Sequence, residues 1–245
     1  MARDKGKREL GITCRGDDAM AVDVVLALSK GRLQAPVMNL LQAGGVQGLQ
    51  LPRFVAGTWA NCVFNNLNLG ILLIRDDDVP TYVARGAADL GVVGKDVLDE
   101  TKEEVVELLD LGLGRCRLSL AVPLEQQNEL NNGNIRRVAT KYPRTTEAFF
   151  RRLGWQVQII KLHGAVEIAP ALGLSDAVVD LVSTGRTLEA SGLVETQVVK
   201  NCSARLIGNR ASYRLKAGLI RPVVDALRGQ LEPRVERSPI GSANC

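Results

Sequence analysis

Histidine is almost missing from this chain: His163 is the only one in 245 residues. Sites built from several histidines are thereby excluded, and a Ser-His-Asp arrangement would have a single imidazole to draw on. Five cysteines (Cys14, Cys62, Cys116, Cys202 and Cys245) are scattered with no Cys-x-x-Cys or Cys-x-x-His spacing, which excludes a structural zinc site. Their odd number, with no export signal, predicts free thiols in a reducing cytoplasm. Aromatic residues make up only 4% of the chain, and Arg and Lys are dispersed rather than clustered. A nucleic-acid-binding surface needs a basic stripe or a stacking platform, and neither is present. Nowhere do about 18 apolar residues follow one another, so no membrane-spanning helix is expected. Residues 1–20 mix Arg3, Lys5, Lys7 and Arg8 with Asp4, Glu9, Asp17 and Asp18 and contain no apolar core of a secretory signal. The acidic residues also argue against an organelle transit peptide, and residues 1–20 are read as an N-terminal tail.

What is present is ordinary for a globular protein. Hydrophobic residues reach 46%, charged residues 24%, and 31 Lys+Arg against 27 Asp+Glu leave a net charge of +4. That apolar fraction excludes disorder for the body of the chain. The length suits one large domain or two smaller lobes. With histidine and zinc set aside, chemistry must come from Asp, Glu, Arg, Lys, backbone amides or a hard metal held by oxygen. Discrete cations near loops suit a small anionic ligand.

Strand-like and helix-like segments alternate, which predicts an α/β fold with mostly parallel sheets. Apolar strands are expected at 21–29, 69–74, 89–93, 116–123, 135–140, 155–162 and 177–182, and a long or bent one at 193–207 broken near Asn201. Helices are expected at 32–43, from Asp78 as N-cap to residue 87, and at 145–153, 165–172 and 186–190. A final helix at 211–231 should kink at Pro222. The glycines Gly112 and Gly114 mark a crossing between lobes. This predicts a discontinuous first lobe (21–114 and 203–228), a second lobe (115–202) and a polar tail at 229–245. Such a hinged, two-lobed fold binds ligands in the cleft, outside the carboxyl ends of its strands.

The segment richest in chemistry is Asp176-Ala-Val-Val-Asp-Leu-Val-Ser-Thr-Gly-Arg-Thr-Leu188. Asp180 interrupts an apolar strand, and a buried carboxylate is costly unless it is paired or given a ligand. Ser183, Thr184, Gly185, Arg186 and Thr187 follow at once and open a helix, where hydroxyls and free amides can cradle an anion. Taken alone, Ser-Thr-Gly would read as an ordinary capped helix start. The acid upstream favours a phosphoribosyl site, with the amides and hydroxyls on the 5′-phosphate and the carboxylate on the ribose 2′- and 3′-hydroxyls.

The run Asp180-Leu-Val-Ser-Thr-Gly-Arg-Thr-Leu188 resembles the signature of the ATP phosphoribosyltransferase family. Six further segments resemble that family in the same order: Leu28-Ser-Lys-Gly-Arg-Leu33, Arg75-Asp-Asp-Asp-Val-Pro80, Ala88-Asp-Leu-Gly-Val-Val-Gly94, Cys116-Arg-Leu-Ser-Leu-Ala-Val-Pro123, Val138-Ala-Thr-Lys-Tyr-Pro143 and His163-Gly-Ala-Val-Glu-Ile-Ala-Pro170. The resemblance covers roughly residues 21–228, and the departures from the pattern are mostly at the two ends. The resemblance implies a two-lobed fold like that of type II periplasmic binding proteins. It implies the first step of histidine biosynthesis: N1 of ATP attacks C1 of phosphoribosyl pyrophosphate, and pyrophosphate leaves. The chain ends soon after the last helix of the core, so it resembles the short form. The short form works in a hetero-oligomer with a regulatory subunit resembling histidyl-tRNA synthetase.

Roles carried over by the resemblance fall on both lobes. Asp180 would hold the ribose hydroxyls, Ser183 to Thr187 the 5′-phosphate, and Glu167 the neighbourhood of the sugar and its metal. Asp180 and Glu167 would be the protein's ligands to Mg²⁺, which bridges phosphate oxygens with few protein groups. Lys30, as a catalytic cation, and Gly31 and Arg32 would reach pyrophosphate or ATP phosphates across the cleft. Cations at a helix start are disfavoured by the dipole, itself a hint of a ligand. Arg75 and the segment Asp89 to Gly94, through Gly91, are further candidates for ATP contact, although tight helix–strand packing explains the glycines equally well. Asp76 to Asp78 read as capping, solvated residues. The ring of Tyr142 could stack on a base or cover core, and His163 is given no role. Two readings compete with the enzyme. A non-catalytic solute-binding module would lack the acid-plus-loop motif, and the effector domain of a transcription regulator would need a DNA-binding helix-turn-helix.

Overall fold

In a computed structural model of the chain, residues 22–48, 58–127 and 135–231 are described. The tails expected at 1–20 and 229–245 lie, apart from residues 229–231, outside them.

Two mixed sheets carry the architecture. The first contains β1 (Val24–Ser29), β2 (Thr58–Phe64), β3 (Leu67–Ile74), β4 (Leu90–Gly94), β5 (Val105–Asp110) and β11 (Ala204–Asn209), in the order β2-β3-β1-β4-β11-β5. Its middle strands β3, β1 and β4 run parallel, and β2, β11 and β5 pair antiparallel to their neighbours. The second contains β6 (Cys116–Pro123), β7 (Arg137–Thr140), β8 (Gln158–Lys161), β9 (Ala177–Val182) and β10 (Leu193–Cys202), in the order β10-β6-β9-β7-β8. Here β9, β7 and β8 are parallel, while β6 runs against both β9 and β10.

The near-continuous apolar runs of β1, β4 and β9 follow from having both faces covered. On one face of the first sheet, α1 (Gln34–Ala43) and α7 (Ala217–Leu231) bury Val37, Leu41, Ile220 and Leu227 against Leu26, Leu28 and Leu69. On the other, α2 (Val79–Ala84) and α3 (Lys95–Glu100) pack Val79, Val83 and Val97 over Ala27, Val93 and Ile207. In the second sheet α4 (Pro143–Arg152) sets Phe149 and Phe150 against Leu118, Leu120 and Val179. The opposite face takes Val166, Ala169 and, from α5 (Arg186–Ala190), Leu188.

The chain passes between the sheets twice, through residues 111–115 and through the single residue Ser203. The strand expected at 193–207 is thus two strands in different sheets. The expected final helix likewise divides at Lys216 into α6 (Arg210–Leu215) and α7, so the break falls ahead of Pro222, which sits inside α7. Asn209 caps α6 by accepting from the amides of Ala211 and Ser212, both at 2.9 Å. The helix expected at 165–172 is only a 3-10 turn, Val166–Ile168, entered through Ala165 in left-handed backbone (φ 51°). Three elements went unforeseen: β2, α3 and β5. Asp78 stands at the N-cap of α2 as expected but makes no side-chain capping bond.

Candidate active site

The carboxyl ends of β1, β3 and β4 in one sheet and of β7 and β9 in the other face a common crevice, as the pairs that bridge it show. From the loop after β1, Arg32 Nη1 donates to Ser183 Oγ at 3.2 Å and Nη2 to Cys116 Sγ at 3.7 Å. From the end of β7, Lys141 Nζ lies 3.3 Å from a carboxylate oxygen of Asp77 and 4.0 Å from one of Asp76. The Tyr142 hydroxyl donates to Asp96 Oδ2 at 3.0 Å. At the rim, Arg144 donates to the carbonyls of Glu100 and Thr101, and Lys200 pairs with Asp99.

Asp180 lies in this crevice, at the fourth position of β9 and opposite Ser119 of β6. Its Oδ1 accepts from the amide of Leu181 at 2.8 Å. Burial pushes its carboxyl above the usual carboxylate range. The Leu181 amide and Lys141 oppose that shift, and the negative charge of Glu167 adds to it. Glu167 comes from the 3-10 turn packed against β9. Two acids thus stand as electrostatic neighbours, one of them largely desolvated, a pattern more common at working sites than in plain scaffolding.

Two residues downstream of Asp180 the strand ends and the loop begins. Ser183, Thr184, Arg186 and Thr187 are exposed, and Gly185 takes left-handed backbone (φ 84°), which a side chain would strain. Its Cβ position would meet nothing nearer than a Glu189 oxygen at 3.8 Å. Gly31 in the facing loop is also left-handed (φ 99°), with open space where a Cβ would be. Both loops therefore leave room beside their amides. Lys30 follows β1 directly, its amide donating to the Ile74 carbonyl at 3.0 Å, and Arg75 is exposed at the end of β3. Asp180, Glu167, Ser183 to Thr187, Lys30, Gly31, Arg32 and Arg75 are therefore gathered on the crevice.

Three of the expected ATP contacts are not open to a ligand there. Asp89 is buried at the amino end of β4, the opposite edge of the sheet, where its Oδ2 accepts from the Val25 amide at 2.9 Å and from Lys216 Nζ at 3.1 Å. It ties α7's entry to the sheet and is out of reach of a ligand in the crevice. Gly91 is buried inside β4, and a Cβ there would lie 2.7 Å from Val83 and 2.8 Å from Val79, so its glycine is explained by the close approach of α2. The Tyr142 ring is 4% exposed within the second lobe's core, which removes it as a stacking surface. Its hydroxyl is held above the ordinary tyrosine range by burial and by Asp96. Asp96 was missed by the sequence reading. It follows Gly94 by two residues, and a Cβ on Gly94 would sit 2.3 Å from its Oδ1, so glycine there leaves the carboxylate its place.

Concavities are also found outside these loops. A groove of about 590 Å³ between α3, α4 and β10 is lined by Arg144, Arg151, Arg152 and Lys200; the Glu100 and Thr101 carbonyls engage Arg144, Glu147 engages Arg151 and Asp99 engages Lys200. Among the described residues no three His, Cys, Asp or Glu side chains form a metal-holding group, and no helix is long and apolar enough to cross a membrane.

Comparison with known proteins decides the family. The model of the HisG family, ATP phosphoribosyltransferase, matches residues 75–229. Among relatives, the ATP phosphoribosyltransferase of Symbiobacterium thermophilum is 46% identical over 84% of this chain and 93% of its own length. The chain belongs to the ATP phosphoribosyltransferase family. The enzyme of the same name from Burkholderia cenocepacia is 42% identical over 84% of this chain and 96% of its own. Among solved structures, the ATP phosphoribosyl transferase (HisG:HisZ) complex of Thermotoga maritima superposes with a TM-score of 0.69 at 31% identity, covering 85% of this chain and 98% of that one. A VFT2 domain of Bordetella pertussis BvgS, 15% identical with a TM-score of 0.51, shares the two-lobed fold alone. As a member of this family the chain is a pentosyltransferase, and the solute-binding reading falls away.

Proposed function

We propose that this crevice joins N1 of ATP to C1 of phosphoribosyl pyrophosphate, with release of pyrophosphate, as the first step of histidine biosynthesis in the cytoplasm. The observation that carries this reading is Asp180, desolvated and above its ordinary pKa, immediately ahead of an exposed Ser-Thr-Gly loop that Arg32 reaches from the other lobe.

The adenine N1 lone pair is free at neutral pH, so the attack needs no strong general base. The requirement is to position two polyanions and neutralise a departing one. Asp180 accepts the ribose 2′- and 3′-hydroxyls, which fixes C1 relative to the incoming ring. Ser183 to Thr187 take the 5′-phosphate with hydroxyls and with amides that the first turn of α5 leaves without intrahelical partners. Lys30 and Arg32 approach the leaving pyrophosphate from the first lobe, and Arg75 the triphosphate. Drawing the lobes together excludes water from the charged centre and strengthens each of these attractions.

Mg²⁺ fits the donor set. Asp180 and Glu167 would be its oxygen ligands, their mutual repulsion relieved by a cation, and magnesium characteristically takes one or two carboxylates plus substrate phosphates. Bound there, it would neutralise charge on the pyrophosphate. The Thermotoga relative was solved as a HisG:HisZ complex, which supports a regulatory partner resembling histidyl-tRNA synthetase for this chain too, and hence a hetero-oligomer. The test is direct: purified chain with that partner, ATP, phosphoribosyl pyrophosphate and magnesium should yield the N1-phosphoribosyl adduct. No adduct at saturating substrates would overturn the reading.

A further inference from the structure

Cys116 is the first residue of β6 and Cys202 the last of β10, and the two are directly opposed at the end of the antiparallel ladder. They stand where the chain enters the second sheet and where it leaves it. Opposed residues in such a ladder hold their Cα atoms about 4.5–5.5 Å apart with side chains on one face, inside the roughly 4.4–6.8 Å range of a disulfide. Both are free thiols, and both line a cavity of about 700 Å³ beside the crossing segments, which also takes in Arg115 and Asn201. Cys116 is also engaged with the crevice, since its sulfur accepts from the guanidinium of Arg32, which grips Ser183 with its other nitrogen.

We propose that Cys116 and Cys202 form a reversible disulfide across the hinge, made by exchange with a low-molecular-weight disulfide, and that closing it detaches Arg32 from its sulfur anchor. The Cys116 thiolate attacks one sulfur of the reagent RSSR and expels RS⁻. The Cys202 thiolate then attacks Cys116's sulfur in the mixed disulfide and expels the second RS⁻. Two protein thiols are oxidised and one small disulfide is reduced to two thiols, with the two protons taken up by the leaving thiolates. Cys116 attacks first because it is the less buried thiol: burial raises both, but Arg32 opposes the rise at Cys116, whereas burial pushes Cys202 up to about 12. Once made, the bond pins together the two strands that lead into the crossings, and the sulfur moves toward β10. The consequence for catalysis rests on the reading of the crevice given above; the bond itself does not.

Incubation of the full chain with excess oxidised glutathione, followed by peptide mapping by mass, tests the bond without any reference to activity. The expected result is a Cys116–Cys202 link, two hydrogens lighter than the reduced pair and reversed by dithiothreitol. The oxidised enzyme should show a KM for phosphoribosyl pyrophosphate raised severalfold at little changed kcat. Cys202→Ser should lose both the link and the KM shift. Glutathione retained on Cys116 with no link to Cys202, in the native chain, overturns the proposal. A link that leaves KM unmoved overturns the coupling to Arg32. A reduced chain that makes no adduct at all fails the proposed reaction and leaves the mapping result standing.

Discussion

Replacing Asp180 by Asn should separate catalysis from stability. The carboxylate is desolvated, its ionisation is opposed by burial and by Glu167, and its one protein hydrogen bond comes from the Leu181 amide. An amide oxygen can keep that bond, and the substitution removes a charge the folded chain disfavours. The melting temperature should therefore hold or rise, a usual relation between stability and a working site. Activity should move the other way. Two hydroxyl-to-carboxylate bonds at about 1.5–3 kcal/mol each amount to about 3–6 kcal/mol, or on the order of 10²–10⁴ in kcat/KM for phosphoribosyl pyrophosphate. The assay is steady-state formation of the adduct with magnesium in excess, run beside thermal unfolding of the same preparation. A variant with full kcat/KM refutes the ribose role. A variant that loses activity and melts several degrees lower refutes the separation, because Asp180 would then be holding the fold.

Other substitutions sort the remaining residues. Asp89→Asn should leave the KM for ATP unchanged but lower stability by about 1–3 kcal/mol, since the Lys216 ammonium and Val25 amide lose their shared carboxylate; a raised KM would return Asp89 to the crevice. Gly91→Ala should cost about 1–3 kcal/mol in chemical denaturation by driving a methyl into Val79 and Val83, and an unaltered midpoint would contradict the close packing. With Asp180 raised above the ordinary value, the ionised form needed for the ribose is lost as pH falls through that raised pKa. The acid limb of kcat/KM should therefore lie above the usual carboxylate range and vanish in Asp180→Asn. Asp176 has the opposite sign. Arg137 and the amides of residues 136 and 137 hold its pKa down, so its contribution to stability is full above about pH 4 and lost on further acidification. Asp176→Asn should flatten acid unfolding in that range.

The elements that build the crevice were readable because each is covered on both faces or carries its own start signal. The apolar run of β9 and the short α5 fall where the pattern places them, at Ala177–Val182 and Arg186–Ala190. By contrast β5, Val-Val-Glu-Leu-Leu-Asp, is only half-buried along its length, so neither an alternating nor a continuous apolar signature marks it. The division at Ser203 hid for a different reason: two strands joined by one residue look like a single long one until their partners are known. Asp89 illustrates the limit at the site. A carboxylate flanking an apolar strand has the same local sequence whether it stands at the ligand end or the far end, and its partner Lys216 is 127 residues away. Tyr142 follows a strand as a ligand residue would, yet only the tertiary packing shows its ring buried and its hydroxyl turned to Asp96.

The central claim is tested most directly by a crystal structure of the chain with phosphoribosyl pyrophosphate and magnesium. The expected pose sets the 5′-phosphate within hydrogen-bonding distance of Ser183 to Thr187 and both ribose hydroxyls on Asp180. A phosphate seated instead in the arginine-lined groove between α3, α4 and β10, with Asp180 untouched, would contradict it.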